Sequence, residues 1–350
     1  MKVLAIGDRF ITSEFLQTAM EKQFQDSGMH FEYRSLAFDW PVEPVHENEE
    51  IREYVGDDNQ VAAKAEDVEV ILTHSGPVSK KVIDAAPKLR VVGAARGGPV
   101  NINAAACTER GIPVLYAPGR NSGAVAELTV GLMLAETRSI ARAHISLMQE
   151  HRWRGDLYVL EKVGLEMNSA VIGIIGLGAI GGKVAGIMSG FGARILVHDP
   201  HLAASEVEAL GYRAVTLDEL LKESDIISLH PRLTPETRGL IGEREIGLMK
   251  KTAYVINTSR GELIQYEHLY RALKEGRIGG AGLDVFEAEP PPADSLFYQL
   301  DNVTATTHLG GASIQAAEIG ASVLAGEVYK FLTGTETPRH CVNPEVFRKA

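Results

Sequence analysis

The chain has 350 residues, 45% hydrophobic and 23% charged, which is enough apolar material for more than one packed core and too much for a disordered tail. Forty-six acidic against thirty-five basic residues give a net charge of −11 with the bases scattered, which excludes the basic footprint of a nucleic-acid binder but leaves room for small anions held by a few arginines. Cys107 and Cys341 lack partner spacing and no apolar run approaches eighteen residues, so a disulfide framework, a cysteine zinc site and a membrane span are all excluded.

The first apolar run, residues 2–6, is interrupted by Gly7, Asp8 and Arg9. That is too early for a secretory signal, so it reads as a buried strand of a cytoplasmic protein. Further strands are expected over 69–73, 90–94 and 113–115, each followed by a polar or glycine turn and a helical pattern. Between them lies an acidic stretch (Asp39, Glu43, Glu47, Glu49, Glu50, Glu53, Asp57 and Asp58), which reads as a solvated loop and helix face. From Ala124 one long helical pattern runs through Val130, Leu134 and Ile140 towards Met148. A second series of strands follows at 170–175, 194–198, 225–229, 253–257, 280–284 and 302–306, with helices between them. Six strands in that rhythm match a complete dinucleotide-binding sheet. After Gly310 and Gly311 one more amphipathic helix spans 313 to 332. The expected fold is α/β, with two doubly wound parallel-sheet domains.

The motif Gly176-Leu-Gly178-Ala-Ile-Gly181 follows one of those strands and opens a helix, which is the context a dinucleotide-binding loop needs. Gly176 permits the tight turn, Gly178 lets backbone approach a pyrophosphate, and Gly181 allows close packing of helix on sheet. The helix N-terminus then presents N–H groups to the phosphates. The next strand ends in His198-Asp199-Pro200. A carboxylate there accepts from both ribose hydroxyls and repels a 2′-phosphate, so the expected cofactor is NAD rather than NADP. His198 and His201 have no third ligand nearby, and no metal site is expected.

Three polar residues end later strands: Arg260 in Asn257-Thr-Ser-Arg-Gly261, Glu289 beyond Asp284, and His308 before Gly310-Gly311. Ligands of doubly wound sheets bind beyond the carboxyl ends of strands. An arginine offers a charged fork to a carboxylate, and a histidine oriented by a glutamate can exchange a proton with a developing alkoxide. Beside a nicotinamide, that set suits hydride transfer between NAD and C2 of a 2-hydroxy or 2-keto acid.

At these residues the chain resembles the D-isomer-specific 2-hydroxyacid dehydrogenase family. The likeness rests on Val125-Ala-Glu127, the glycine loop, Leu229-His230-Pro231, 257–261, 282–290 and 308–311 in family order. It implies Arg260, Glu289 and His308 as the catalytic trio. It implies cofactor contacts from Gly176, Gly178, Ala179, Ile180, Gly181, Asp199, His230, Pro231, Thr258, Arg260, Asp284, His308, Gly310 and Gly311. It also implies an NAD-binding domain, 120–311, inserted in a flavodoxin-like substrate domain made of 1–119 and 312–350, and a homodimer joined through the NAD-binding domains. With Ala350 as its last residue, the reading is phosphoglycerate dehydrogenase-like without a regulatory C-terminal domain.

One region departs from the family pattern. In Gly93-Ala-Ala-Arg96-Gly97-Gly98, Arg96 replaces a glycine of the loop expected to hold the substrate together with Gly97, Gly98 and Arg260. It binds a second anionic group, points to solvent or pairs with an acid. The substrate is therefore expected to be a small anionic acid, phosphoglycerate-like or sugar-derived. Arg152 and Arg154 are further candidates for a phosphate. Formate or phosphite oxidation and an NADH-sensing, corepressor-like role are the alternatives.

Overall fold

The computed structural model describes residues 1–40 and 46–348, so Glu43 of the acidic stretch lies outside the described residues. The chain separates into two compact units, Met1–Asn121 with Ala312–Ala350, and Ser122–Gly311.

The first unit is built on five parallel strands: β1 (Lys2–Gly7), β2 (Glu32–Ala37), β3 (Val70–Thr73), β4 (Val91–Ala94) and β5 (Val114–Tyr116). Their order is β2-β1-β3-β4-β5. Alternate residues of a strand point to opposite faces. Leu4, Ile6, Ile71 and Val92 therefore enter one core, while Val3, Ala5, Val70, Leu72 and Val91 enter the other. The second core is closed by helices Ser13–Phe24 and Ile314–Thr333 through Leu16, Met20, Ala321, Leu324 and Val328. Coverage on both faces is why β1, β3 and β4 read as continuous apolar runs. Strand β2 was not expected, because at the sheet edge Glu32, Arg34 and Ser35 stay partly in water and no apolar run forms. The carboxyl ends of β1, β3 and β4 deliver Asp8, His74 and Arg96 to one edge of the sheet.

The second unit carries seven parallel strands: β6 (Val171–Ile175), β7 (Arg194–His198), β8 (Arg213–Ala214), β9 (Ile226–Leu229), β10 (Tyr254–Asn257), β11 (Gly280–Leu283) and β12 (Val303–Ala305). The order β12-β11-β10-β9-β6-β7-β8 makes this a doubly wound sheet whose direction of winding reverses between β6 and β9. The six expected strands are present, and the seventh, β8, is only two residues long and carries no periodic signal of its own. Ile172, Ile174 and Ile256 pack beneath Ala126, Val130 and Met133. Truncating one such fully buried isoleucine to alanine removes about 2–5 kcal/mol of stability.

The single long helix expected from Ala124 to Met148 is two helices, Ser122–Thr137 and Ile140–Met148. The break is at Ser139, whose φ is 55°. The buried Glu136 side chain accepts from Thr304 Oγ1 at 2.6 Å and pairs with Arg142 from the far side of the break. That tertiary anchor bends a chain whose apolar periodicity continues without interruption, which is why the sequence pattern does not reveal it.

Candidate active site

Gly176 has φ +87°, and a Cβ placed on it would lie 3.0 Å from the carbonyl carbon of His230 and from the nitrogen of Pro231. A Cβ on Gly181 would meet the Gly176 carbonyl oxygen at 2.1 Å. A Cβ on Gly178, by contrast, would have nothing within 4 Å. Two glycines thus let the turn close tightly and the third leaves backbone open to a ligand, at the N-terminus of the helix Gly181–Gly190.

Asp199 follows β7 and faces the same turn, its carboxylate accepting from Leu177 N at 2.8 Å and His201 N at 3.0 Å. His230, across the switch point, is bonded through Nε2 to Ser228 Oγ at 2.8 Å, whereas Nδ1 is buried without a partner. Burial pushes its pKa down to about 3, so the ring is neutral. Open glycine backbone, a carboxylate at the next strand end and an orphaned buried ring nitrogen are together a fit for an adenine dinucleotide. Thr258, expected among the cofactor contacts, is buried, and its hydroxyl lies 2.7 Å from that of Thr129.

Arg260, Glu289 and His308 come from three separate loops beyond β10, β11 and β12. Asn257, fully buried, shapes the first loop by accepting from Ser259 N and donating to the Arg260 carbonyl. This leaves the guanidinium exposed, with one N–H to the Ser259 carbonyl at 2.7 Å. Glu289 accepts from Phe286 N at 2.9 Å through one oxygen and bonds His308 Nδ1 at 2.7 Å through the other. The Glu289 hydrogen bond and charge raise the His308 pKa above its ordinary 6.5, against a lowering by burial and by Arg260. Burial pushes the Glu289 carboxyl upward, but His308, the Phe286 amide and Arg260 outweigh it and hold the group lowered. The pair therefore favours a proton on His308, with Nε2 left to face a substrate.

Asp284 has a role that the sequence pattern does not reveal. It is 1% exposed, and its carboxylate accepts from Thr306 Oγ1, Leu309 N and Gly310 N at 2.6, 2.7 and 2.8 Å. Its backbone carbonyl accepts from His308 N at 2.8 Å. Asp284 thus fixes the loop that holds His308 in a left-handed conformation, φ 57°.

In the first unit, Arg96 is paired with the carboxylate of Glu53, and a second N–H reaches the Glu53 carbonyl at 2.9 Å. Glu53 belongs to the acidic stretch, so that stretch has at least one defined contact. Gly97 and Gly98 have nothing within 4 Å of an added Cβ. In the second unit Arg152 pairs with Glu150 at 3.0 Å, and Arg154 makes a two-pronged contact with Asp156 at 2.7 and 2.9 Å. Sequence reasoning also passed over Asp8, His74 and Arg120, which the first sheet brings together. Their signal was position alone, since the first two directly follow Gly7 and Thr73 at strand ends. Among the described residues no group of three histidine, cysteine or acidic side chains is placed to hold a metal ion, and no helix is long and apolar enough to cross a membrane.

A doubly wound sheet with an open glycine turn and an acid after its second strand is the architecture of a dinucleotide-binding domain. Residues 130–310 match the family model described as D-isomer specific 2-hydroxyacid dehydrogenase, NAD binding domain. The chain belongs to the D-isomer specific 2-hydroxyacid dehydrogenase family, a family of NAD-dependent oxidoreductases, and its cofactor is NAD. It is 40% identical to D-3-phosphoglycerate dehydrogenase of Methanocaldococcus jannaschii over 86% of this chain and 58% of that one. It is 39% identical to glyoxylate reductase of Korarchaeum cryptofilum, over 78% of this chain and 81% of that one. Among solved structures, the TT0316 protein of Thermus thermophilus superposes with a TM-score of 0.75 at 28% identity, covering 98% of this chain and all of that one. The chain therefore spans little more than half the length of the phosphoglycerate dehydrogenase it matches.

Proposed function

We propose that this protein is an NAD-dependent D-2-hydroxyacid dehydrogenase that interconverts a small 2-hydroxy acid and its 2-keto acid, with a phosphoglycerate-like or sugar-derived acid as substrate. The observation that carries the reading is the 2.7 Å bond between His308 and Glu289 at the strand end next to the Arg260 loop. Names of relatives, a phosphoglycerate dehydrogenase and a glyoxylate reductase, support the same substrate class.

Bound NAD supplies or accepts the hydride. The protein's own residues do the rest. Arg260 offers unspent N–H groups to the carboxylate and carbonyl of the acid, in a fork that suits two oxygens. His308, its Nδ1 engaged by Glu289, gives a proton from Nε2 to the carbonyl oxygen during reduction and takes it back during oxidation. Glu289 keeps the ring in one tautomer and compensates the imidazolium charge. Asp199 receives the adenosine ribose, and a 2′-phosphate would be repelled there.

The second unit also carries exposed apolar side chains, among them Ile140, Met148, Trp153 and Leu160. Apolar surface of that kind supports association into a homodimer through this unit.

The test is oxidation of NADH against a panel of 2-keto acids by wild type and His308→Ala. Loss of turnover in the variant with NADH binding retained is the expected result, and an unimpaired His308→Ala protein would refute the mechanism. Tight NADH binding with no acid turned over would favour a sensor instead.

A further inference from the structure

At the carboxyl edge of the first sheet, Asp8 follows β1, His74 follows β3, and Arg120 lies four residues beyond β5. Asp8 is 3% exposed, and one carboxylate oxygen accepts from Phe10 N and Ile11 N, both at 2.9 Å. The other oxygen lies 2.7 Å from Nδ1 of the buried His74, whose Nε2 is 3.1 Å from Arg120 Nη2. A guanidinium can only donate, so Nε2 is the acceptor and Nδ1 carries the proton to Asp8. His74 is therefore neutral. Burial holds its pKa below the ordinary 6.5 in spite of Asp8, and the charges of Arg120 and Arg96 act in the same direction.

The neutral ring places Arg120 and Asp8 on opposite sides of an imidazole, and this leaves the arginine without a carboxylate in direct contact. Among the described residues no acid lies within 4.0 Å of Arg120 to form an ion pair. Its other partners are a weak 3.4 Å bond to the Ala316 carbonyl and the Phe10 ring, 5.6 Å from the guanidinium carbon. Its Nε is buried with no hydrogen-bond partner. Burial and the Arg96 charge press its pKa down, while the Asp8 carboxylate beyond the imidazole raises it without offsetting them. Trp40, 42% exposed, stacks over His74 at 6.0 Å and gives the cluster an apolar wall open to solvent.

Arg96, the arginine that the sequence singles out, is in the opposite condition, because Glu53 already neutralises it. Of the two arginines, the one with an unspent buried donor and no acid in direct contact is Arg120.

We propose that Arg120, held in place by His74 and Asp8, is an oxyanion-binding residue that takes the second anionic group, a phosphate or a distal carboxylate, of the substrate. This rests on the 2-keto acid reading above and moves the specificity determinant from Arg96 to Arg120. His74 acts as a positioning residue and Trp40 covers the carbon chain beside the anion.

The experiment has two arms. In the first, kcat/KM is measured for 3-phosphohydroxypyruvate, 2-oxoglutarate and hydroxypyruvate with wild type, Arg120→Lys, Arg120→Gln, and a control, Arg90→Gln, from the amino end of β4. In the second, inorganic phosphate and malonate are titrated calorimetrically into the same proteins without keto acid. The expected result is a wild type that prefers one of the two substrates with a second anion, which identifies the group as phosphate or carboxylate. That preference falls at least tenfold relative to hydroxypyruvate in Arg120→Gln, less in Arg120→Lys, and not in Arg90→Gln. Binding of the matching inorganic or organic anion weakens at least tenfold in Arg120→Gln. If wild type turns over no keto acid but phosphate or malonate binding still depends on Arg120, the dehydrogenase reading falls and the anion site stands. If Arg120→Gln keeps both the substrate preference and the anion affinity of wild type, or if wild type has neither, the proposal is overturned. Urea midpoints of the two Arg120 variants separate a lost contact from a lost fold, with Arg120→Lys as the variant that keeps the charge.

Discussion

Replacing Asp284 by asparagine changes one heavy atom in a buried site and should weaken the anchor of the His308 loop. The aspartate accepts three hydrogen bonds while 1% exposed, from Thr306 Oγ1, Leu309 N and Gly310 N. An asparagine amide has one oxygen. In its better orientation that oxygen keeps Thr306 and Leu309, and the NH2 group then faces the Gly310 N–H, donor against donor. One hydrogen bond to a charged acceptor is lost, about 1.5–3 kcal/mol, and the two that remain lose their charge assistance. The sum is about 2–4 kcal/mol of stability. Urea unfolding reads the total, and amide hydrogen exchange at Leu309 and Gly310 reads whether the loss is local. Because the His308 amide bonds the Asp284 carbonyl, a loosened loop should also lower kcat more than it raises KM. An Asp284→Asn protein within about 0.5 kcal/mol of wild type, with unchanged exchange at those two amides, would refute this account of the loop.

Glu289→Gln removes the first cause of the raised His308 pKa, so that pKa should fall. The rising limb of the pH profile for hydroxy-acid oxidation, which needs neutral His308, and the falling limb for keto-acid reduction, which needs the protonated ring, should then both move to lower pH; limbs that stay in place would exclude Glu289 as the tuning group. The stability contributed by this ion pair is full only between the ordinary carboxyl value of 4.5 and the ordinary imidazole value of 6.5. It is lost as pH falls through the lowered pKa of Glu289, and again as pH rises through the raised pKa of His308. Asp199→Ser removes the charge that would repel a 2′-phosphate, so the preference for NAD over NADP should fall at least about tenfold, or about 1.4 kcal/mol, in paired KM and kcat measurements. The same change frees Leu177 N, so NAD binding should weaken as well; an unaltered cofactor preference would place the discriminating group elsewhere.

The second unit was the more legible from sequence. Its strands are covered on both faces, so they appear as apolar runs, and the glycine turn is a local matter of φ and steric room at Gly176 and Gly181. The residues Arg260, Glu289 and His308 could be located because each stands directly after, or a few residues beyond, such a run. Strand β2 and the two-residue β8 were not legible, because edge strands keep polar side chains in water and need little apolar surface. The break at Ser139 depends on Glu136 meeting Thr304, a residue remote in sequence. Sequence alone thus determined the fold class, the NAD cofactor and which residue types stand at the strand ends. Tertiary structure decided what each of those side chains touches: Arg96 is taken by Glu53, Asp284 by the His308 loop, and Arg120 by no acid among the described residues. A charge is available to a ligand only when no folded neighbour has already compensated it, and that neighbour is chosen by packing across the sheet edge, which no local pattern records.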